Sequence, residues 1–200
     1  TIQDTERLAE DLATRVGEKE AEIMQGHMML LADPMLTGEI ENSIKNDGVN
    51  SEFAIENVCN MYADMFASMG DELMQQRATD MRDIKTRMQR TLMGIQSVDI
   101  SKLAEGSIIV AKDLTPSMTA GINPANVTGI VTELGGRTSH SAILARALEI
   151  PAVVAVTGFM DSVKDGDAIV LDGSTGEVHV NPEDSVKSEY EVKREAFLKE

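Results

Sequence analysis

A single histidine stands between a glycine pair and a run of helix-forming residues. Gly135 and Gly136 precede Arg137, and His140 lies directly before the segment Ser141–Leu148. Glycine lets the backbone turn sharply and come close to a bound group, while Ala, Leu and Arg are good helix formers. An apolar, β-branched segment lies just upstream. The pattern therefore predicts a strand, a glycine turn and a helix whose first turn carries His140.

The start of a helix is a favourable place for phosphate, because its backbone N–H groups and its dipole both attract anions. The same field disfavours a positively charged imidazolium, so we expect a neutral His140 that can act as a nucleophile. Thr138 or Ser139 can cap the helix, and the forked guanidinium of Arg137 can hold two phosphate oxygens. The stretch predicts a phosphorylated histidine. The alternative is a surface histidine beside an ordinary Gly-Gly turn.

Composition excludes several other functions. The 200 residues carry a formal net charge of −16, which disfavours nucleic acid and anionic membranes as partners and favours a basic protein. No apolar run is long enough to cross a bilayer and no signal peptide is visible, so we expect a cytoplasmic location. The lone Cys59 excludes an intrachain disulfide and a multi-cysteine metal site. We predict no metal site in this sequence.

The hydrophobic pattern changes near the middle of the chain. In the first half, apolar residues recur at helical spacing, which predicts a bundle of antiparallel helices. In the second half, short apolar strands alternate with helices, which indicates an α/β domain with a partly parallel sheet. Function is expected at the carboxyl end of a strand of such a sheet, where His140 falls. The predicted fold class is all-α plus α/β, with a helical bundle over 1–96, an α/β domain over 97–182 and a C-terminal linker helix over 183–200.

Local signals predict individual elements. We expect a helix capped by Ser51 and a further helix after it. Their spacing predicts the inward residues, which are Ile55, Val58, Tyr62, Met65 and Met69 in the first and Leu73, Met81, Ile84, Met88 and Leu92 in the second. Later in the chain, Pro116 opens a short helix and Pro151–Val156 has the composition of a buried strand. The segment 168–180 has the pattern of a hairpin that leaves His179 exposed.

The sequence around His140 resembles the phosphohistidine signature of enzyme I of the sugar phosphotransferase system, the phosphoenolpyruvate–protein phosphotransferase family. The similarity runs over 135–152 and continues, in the family's order, in 20–31, 77–84 and 112–119. Pyruvate phosphate dikinase and phosphoenolpyruvate synthase carry related motifs, but their third residue is usually not arginine. The resemblance implies a helical bundle that binds the phosphocarrier protein HPr, followed by a phosphohistidine α/β swivel domain.

The same resemblance implies roles for single residues. It makes His140 the phosphorylated residue and Thr119 its hydrogen-bond partner. The alternative for Thr119 is helix capping or plain packing, and Thr115 could do the same job as Thr119. The family has a lysine near the histidine, and Lys19 lies one residue out of that register. The candidates for binding HPr are Glu18, Glu20, Met24, His27, Met29, Leu30, Arg77 and Arg82. The methionines can instead fill the core, and the arginines can lie on a solvated face with i,i+4 pairs.

These observations predict a phosphoryl relay of the sugar phosphotransferase system. His140 of the intact enzyme would accept the phosphoryl group from phosphoenolpyruvate and pass it to HPr. In the family, a first strand precedes the segment matched here, and a barrel that binds phosphoenolpyruvate with Mg²⁺ follows it. We therefore expect this chain to need no cofactor and to be unable to use phosphoenolpyruvate alone. We expect it to be a monomer, and the intact enzyme to be a homodimer.

Two other functions fit the same residues. One is the phosphohistidine domain of a dikinase or synthase, whose partner would be a nucleotide-binding domain, and the acidic helical bundle argues against it. The other is a non-catalytic module that binds a basic protein through the bundle. Acid-labile phosphate on His140 would separate the relay from this second alternative.

Overall fold

A computed structural model describes residues 1–95, 100–197 and 199, without the side chains of residues 19 and 20. The chain forms two compact units. The first contains Thr1–Ser101 and Thr115–Ile122, and the second contains Lys102–Leu114 and Asn123–Glu200. The predicted boundary between 96 and 97 lies outside the described residues. The segment Thr115–Ile122, which we placed in the α/β domain, belongs to the helical unit.

Five α-helices make up most of the first unit in the described part of the chain. They are α1 (Ile2–Arg15), α2 (Glu18–Leu31), α3 (Pro34–Asp47), α4 (Ser51–Ser68) and α5 (Glu72–Leu92). Asp33, Asn50 and Asp71 cap α3, α4 and α5, because each side chain accepts a backbone N–H of the first turn. The cap of α4 is therefore Asn50 and not Ser51, since the Asn50 side-chain oxygen lies 2.9 Å from the N–H nitrogen of Phe53.

A hydrophobic cluster of the first unit lies among α3, α4 and α5. It contains Leu36, Ile40, Ala54, Ile55, Val58, Cys59, Ala63, Ala78 and Met81. Four residues that we predicted to point inward are exposed instead, namely Met65, Met69, Leu73 and Leu92. They lie at the ends of α4 and α5 or just beyond, whereas the buried residues lie in the middle turns. Helical spacing predicts the direction of a side chain but not how far the neighbouring helices extend.

A buried carboxylate ties the short helix α6 (Pro116–Ala120) to the helical unit. Asp83 is 3% exposed and accepts hydrogen bonds at 2.8 Å from both the backbone N–H and the hydroxyl of Ser117. Arg15 donates to two carbonyl oxygens at the other end of the helix. A buried carboxylate needs such donors to replace water, so these contacts explain why the segment belongs to the first unit.

The second unit is an α/β structure built on a parallel sheet. Its strands are β1 (Ser107–Ala111), β2 (Val127–Thr132) and β3 (Ala152–Val153), in the order β1-β2-β3. Five of the six residues of β2 are buried, as expected for a central strand. The helix α7 (His140–Ala147) follows β2 after a loop. The predicted combination of a helical bundle and an α/β unit is confirmed.

The remaining elements of the second unit follow the sheet in the chain. The strands β4 (Ile169–Asp172) and β5 (Glu177–Val180) form the predicted antiparallel hairpin, and α8 covers Asp184–Phe197. The strand that we predicted over Pro151–Val156 is shorter than expected. It ends at Val153, and Ala155 has a φ of 62°, a left-handed conformation that an extended strand cannot contain.

We predict that Asp83→Ala loosens α6. The substitution removes both acceptors of Ser117, and a hydrogen bond to a charged group contributes about 1.5–3 kcal/mol. Hydrogen exchange of the α6 amides should become faster by an order of magnitude or more, as measured by NMR. Asp64→Ala is the matched control, since the Asp64 side chain is 81% exposed and its removal should change little. Equal exchange rates in both variants would contradict the anchoring role of Asp83.

We also predict a pH dependence that comes from Cys59. Burial raises the pKa of the Cys59 thiol from 9.0 to about 11, with Lys85 opposing the shift. The fold therefore favours the protonated thiol, so its contribution is complete below pH 9 and is lost as the pH rises to about 11. The free energy of unfolding should fall by about 2–3 kcal/mol more in the natural chain than in Cys59→Ala over this range.

The measurement is urea unfolding, followed by far-UV circular dichroism, between pH 8 and 11. Taking the difference between the two proteins removes the contributions of tyrosines and lysines that titrate in the same range. If the free energies of unfolding of the two proteins differ by the same amount at every pH up to 11, the predicted effect of the thiol is contradicted.

Candidate active site

The loop between β2 and α7 makes its turn at one glycine. Gly135 has a φ of 98°, in the region that favours glycine. A Cβ atom at this position would lie 3.3 Å from the hydroxyl oxygen of Ser139. Gly136 has no positive φ, and a Cβ there would have nothing within 4 Å. The turn therefore requires glycine at 135, whereas the backbone conformation at 136 is open to other residues.

Ser139 caps α7, as one of our two alternatives predicted. Its hydroxyl oxygen accepts the backbone N–H of Ala142 at 3.3 Å and donates to the carbonyl oxygen of Gly136 at 2.8 Å. The same hydroxyl lies 2.9 Å from that of Ser141. One side chain thus satisfies a backbone donor of the helix and closes the loop in front of it. This arrangement holds His140 at the first position of α7.

Two further contacts hold the loop, and sequence reasoning missed both. Arg146, in the last turn of α7, donates to the carbonyl oxygen of Arg137 and to that of Ala142. At the other end, the N–H of Leu134 donates to the carbonyl oxygen of Lys112 at 2.8 Å, directly after β1. The only sign of the Arg146 contact in the sequence is its position in the last turn of a helix, where a positive charge interacts favourably with the helix dipole.

The side chains around His140 differ in exposure. Arg137 and Thr138 are exposed, whereas Ser139 and the His140 ring are half-buried. The Nε2 atom of His140 is shielded from solvent.

Thr119 lies in the first unit, and His140 lies in the second. Thr119 is buried, and its hydroxyl donates to the carbonyl oxygens of Thr115 and Pro116, at 3.2 and 2.8 Å. Thr115 caps α6, because its hydroxyl oxygen accepts the N–H of Met118 at 3.4 Å. Capping is thus done by Thr115, and the role of Thr119 towards His140 stays a prediction.

The predicted partner-binding residues on the helices divide by burial. Glu18 and Met29 are exposed, Leu30 is half-buried, and the side chains of Arg77 and Arg82 are 38% and 51% exposed. Five residues thus present at least part of a side chain at the surface of the first unit. The exposed Met29, at 76%, is the largest apolar contribution among them.

Two other predicted contacts are wrong, because Met24 and His27 are completely buried. They lie on the inner side of α2 with Ala21 and Leu31, at a helical spacing of three or four residues. Glu20 and Lys19 were also named from the sequence, and their side chains lie outside the described residues.

We predicted an exposed His179, and this prediction is wrong. It lies half-buried in β5, and its ring centroid is 5.5 Å from that of Tyr190 in α8. Within residues 1–95, 100–197 and 199, no group of three or more His, Cys, Asp or Glu side chains could hold a metal ion. Over the same described part of the chain, no helix has both the length and the apolar character needed to cross a membrane.

Comparison with known proteins places this site in a family. Residues 1–77 match a family model described as "PEP-utilising enzyme, N-terminal", and residues 103–176 match "PEP-utilising enzyme, mobile domain". The NMR solution structure of an Enzyme I protein is 40% identical in sequence, with a TM-score of 0.83 over 98% of this chain and 79% of that one. The chain belongs to the enzyme I family. The mobile-domain match contains the loop and His140.

Other relatives agree with this assignment. Phosphoenolpyruvate-protein phosphotransferase of Staphylococcus carnosus (strain TM300) is 45% identical over 93% of this chain, and that of Bacillus subtilis (strain 168) is 40% identical over 98%. A solved N-terminal domain of Enzyme 1 - Nitrogen is 27% identical, with a TM-score of 0.61 over 97% of this chain and 79% of that one. The chain spans about a third of the length of the two phosphotransferases, 32% and 34%.

We predict that Gly135→Ala destabilises the loop before α7, whereas Gly136→Ala is tolerated. A left-handed residue other than glycine costs on the order of 1–3 kcal/mol, and Gly135 alone of the pair has such a φ. Hydrogen exchange of the amides at residues 137–142 should therefore accelerate in Gly135→Ala and stay within about twofold in Gly136→Ala. Equal effects of the two substitutions would show that the turn does not depend on the φ of Gly135.

Proposed function

We propose that His140 carries a phosphoryl group between phosphoenolpyruvate and HPr in the cytoplasmic phosphotransferase system that serves sugar transport. The observation that carries the proposal is the position of this histidine at the first residue of α7, held by the Ser139 cap. Family membership supports the same chemistry, since the similar proteins are named phosphoenolpyruvate-protein phosphotransferases. A histidine is among the side chains that form covalent intermediates.

The proposed reaction is an in-line transfer on each side of the relay. The lone pair of Nε2 in neutral His140 attacks phosphorus, the bond from phosphorus to the bridging oxygen of phosphoenolpyruvate breaks, and the enolate that leaves takes up a proton to give pyruvate. The second step reverses the roles, because a histidine nitrogen of HPr attacks phosphorus and the P–N bond to His140 breaks. The proton on Nδ1 of His140 can remain in place throughout.

The residues of the loop have complementary roles in this proposal. The start of α7 stabilises the dianionic phosphoryl group through its backbone dipoles. Arg137, which is exposed within the loop, is a suitable clamp for two phosphate oxygens. We propose that Thr119 donates a hydrogen bond to His140 in one state of the cycle, after its hydroxyl leaves the carbonyl oxygens of α6. We propose that the α/β unit moves during the cycle to present Nε2 to each reaction partner, as the swivel domain implied by the family resemblance would.

We propose that HPr docks on the helical unit of the chain. The exposed Met29 gives this unit an apolar contact, and Glu18 adds negative charge that would steer a basic partner. Arg77 and Arg82 would donate hydrogen bonds to acceptors on HPr. The side chains that we found buried, Met24 and His27, have no direct contact in this proposal.

In our proposal, the phosphoryl donor phosphoenolpyruvate binds to a further part of the protein. We propose that phosphoenolpyruvate binds, together with Mg²⁺, to a barrel in the remaining two thirds of the family's length, and that this barrel also forms the homodimer. Among the described residues, no cluster of carboxylates and histidines fits Mg²⁺, and no step of the reaction given above uses the metal.

The experiment is a transfer assay with phospho-HPr labelled in its phosphoryl group. The 200-residue chain should become labelled at neutral pH, and the label should be lost in acid, as expected for phosphohistidine. His140→Ala should reduce labelling to background, while circular dichroism stays unchanged because a half-buried side chain in a first helical turn contributes little to packing. His179→Ala is the matched control and should react at the rate of the natural chain.

Two outcomes would contradict the proposal. Undiminished labelling of His140→Ala would show that another residue carries the group. Labelling of the natural chain by phosphoenolpyruvate and Mg²⁺ alone would contradict the need for the barrel, since we predict no transfer from that donor.

A further inference from the structure

A glycine in the middle of α2 makes room for an arginine of α5. A Cβ atom on Gly26 would lie 2.5 Å from Nη1 of Arg77 and 3.5 Å from its Cζ. Gly26 is buried, and its φ is not positive, so its backbone conformation does not require glycine. Glycine destabilises a helix relative to alanine. The close approach of the guanidinium is therefore the feature that this glycine permits.

A buried carboxylate also contacts this guanidinium. Nη1 of Arg77 lies 3.5 Å from Oδ2 of Asp80, and the other oxygen of that carboxylate, Oδ1, lies 3.2 Å from Nε2 of His27. The side chains of Asp80 and His27 are 5% and 0% exposed, whereas that of Arg77 is 38% exposed. The carboxylate thus faces a buried imidazole on α2 and a guanidinium that reaches the surface.

This arrangement restricts a side chain that is normally flexible. A surface arginine samples many rotamers, and holding one of them when a partner binds costs conformational entropy. Here the α2 backbone at Gly26 and the Asp80 carboxylate limit the guanidinium before any partner arrives. A preorganised arginine fork loses less freedom for each hydrogen bond that it forms.

We propose that Gly26, His27 and Asp80 are positioning residues that preorganise Arg77 as a hydrogen-bond donor for a carbonyl or carboxylate group of HPr. The inference rests on the proposed docking of HPr on the helical unit. It assigns a use to His27, which is buried and cannot contact HPr itself. It also makes Gly26 a determinant of partner affinity, although this residue has no side chain to bind with.

Gly26→Ala separates positioning from stability. The new methyl group must displace the far end of the Arg77 side chain, while alanine favours the helix. The midpoint of thermal unfolding should therefore stay the same or rise, and the Kd for HPr should increase by about threefold to tenfold. Gly38→Ala is the matched control, because Gly38 lies within α3 and a Cβ there would have nothing within 4 Å. Its Kd should equal that of the natural chain.

A double-mutant cycle assigns the effect to Arg77. Gly26→Ala should change the Kd in the natural background and should have no further effect in Arg77→Ala. A Kd unchanged by Gly26→Ala, while Arg77→Ala weakens binding, would overturn the inference and leave the proposed function standing. An equal loss of affinity from Gly26→Ala in both backgrounds would also overturn it, since the effect would then not pass through Arg77.

The state of the arginine can be measured without any partner. In the free chain, the Nε–Hε signal of Arg77 should be separate from the averaged arginine signals in an NMR spectrum, and it should merge with them in Gly26→Ala and in Asp80→Asn. An averaged Arg77 signal in the natural chain would overturn the inference even if the chain bound HPr. Failure of the natural chain to bind HPr, with a separate Arg77 signal, would count against the proposed function instead.

Discussion

The start of α7 depends on the loop that connects the central strand β2 to this helix. The positive φ of Gly135 makes the turn possible, and the Ser139 hydroxyl satisfies both a donor of the helix and a carbonyl oxygen of the loop. With these two features in place, the next residue, His140, stands at the positive end of the helix dipole. The chemistry proposed for this chain follows from that position, because a phosphoryl group bound there lies among backbone dipoles rather than in an apolar interior.

Polar groups that are buried away from this loop organise the helical unit. Asp83 binds the N–H and the hydroxyl of Ser117 and so keeps α6 with the helices, although the chain between them passes through a strand of the other unit. Asp80 faces His27 on one side and Arg77 on the other. Neither carboxylate belongs to an exposed acidic face. Each buried carboxylate holds a group that the proposed relay needs. Asp83 holds the helix that contains Thr119, and Asp80 holds Arg77.

The sequence predicted those features that depend on neighbouring residues. The strand before the glycines, the Ser139 cap, the short helix opened by Pro116 and the hairpin near residue 175 all rest on local conformational preferences, and all are present. The family assignment was also accessible, because the residues around His140 are contiguous. These are the parts of the site in which the chain order and the spatial order coincide.

Other features depend on contacts between distant residues, and spacing alone could not predict them. The helical period of α2 shows that Met24 and His27 share a side, but it does not show that this side is buried. The membership of α6 in the helical unit rests on a bond between residues 34 positions apart in the chain. The exposed methionines and leucines at the helix ends reflect the extent of neighbouring helices, which is a property of the packed unit.

Heteronuclear NMR of the ¹⁵N-labelled chain after reaction with phospho-HPr shows whether the imidazole of His140 bears the phosphoryl group. We predict a phosphorus–nitrogen coupling on Nε2 of His140, with the ring nitrogens of His27 and His179 unchanged. A coupling on either of those histidines, or phosphate on any side chain other than His140, would contradict this prediction.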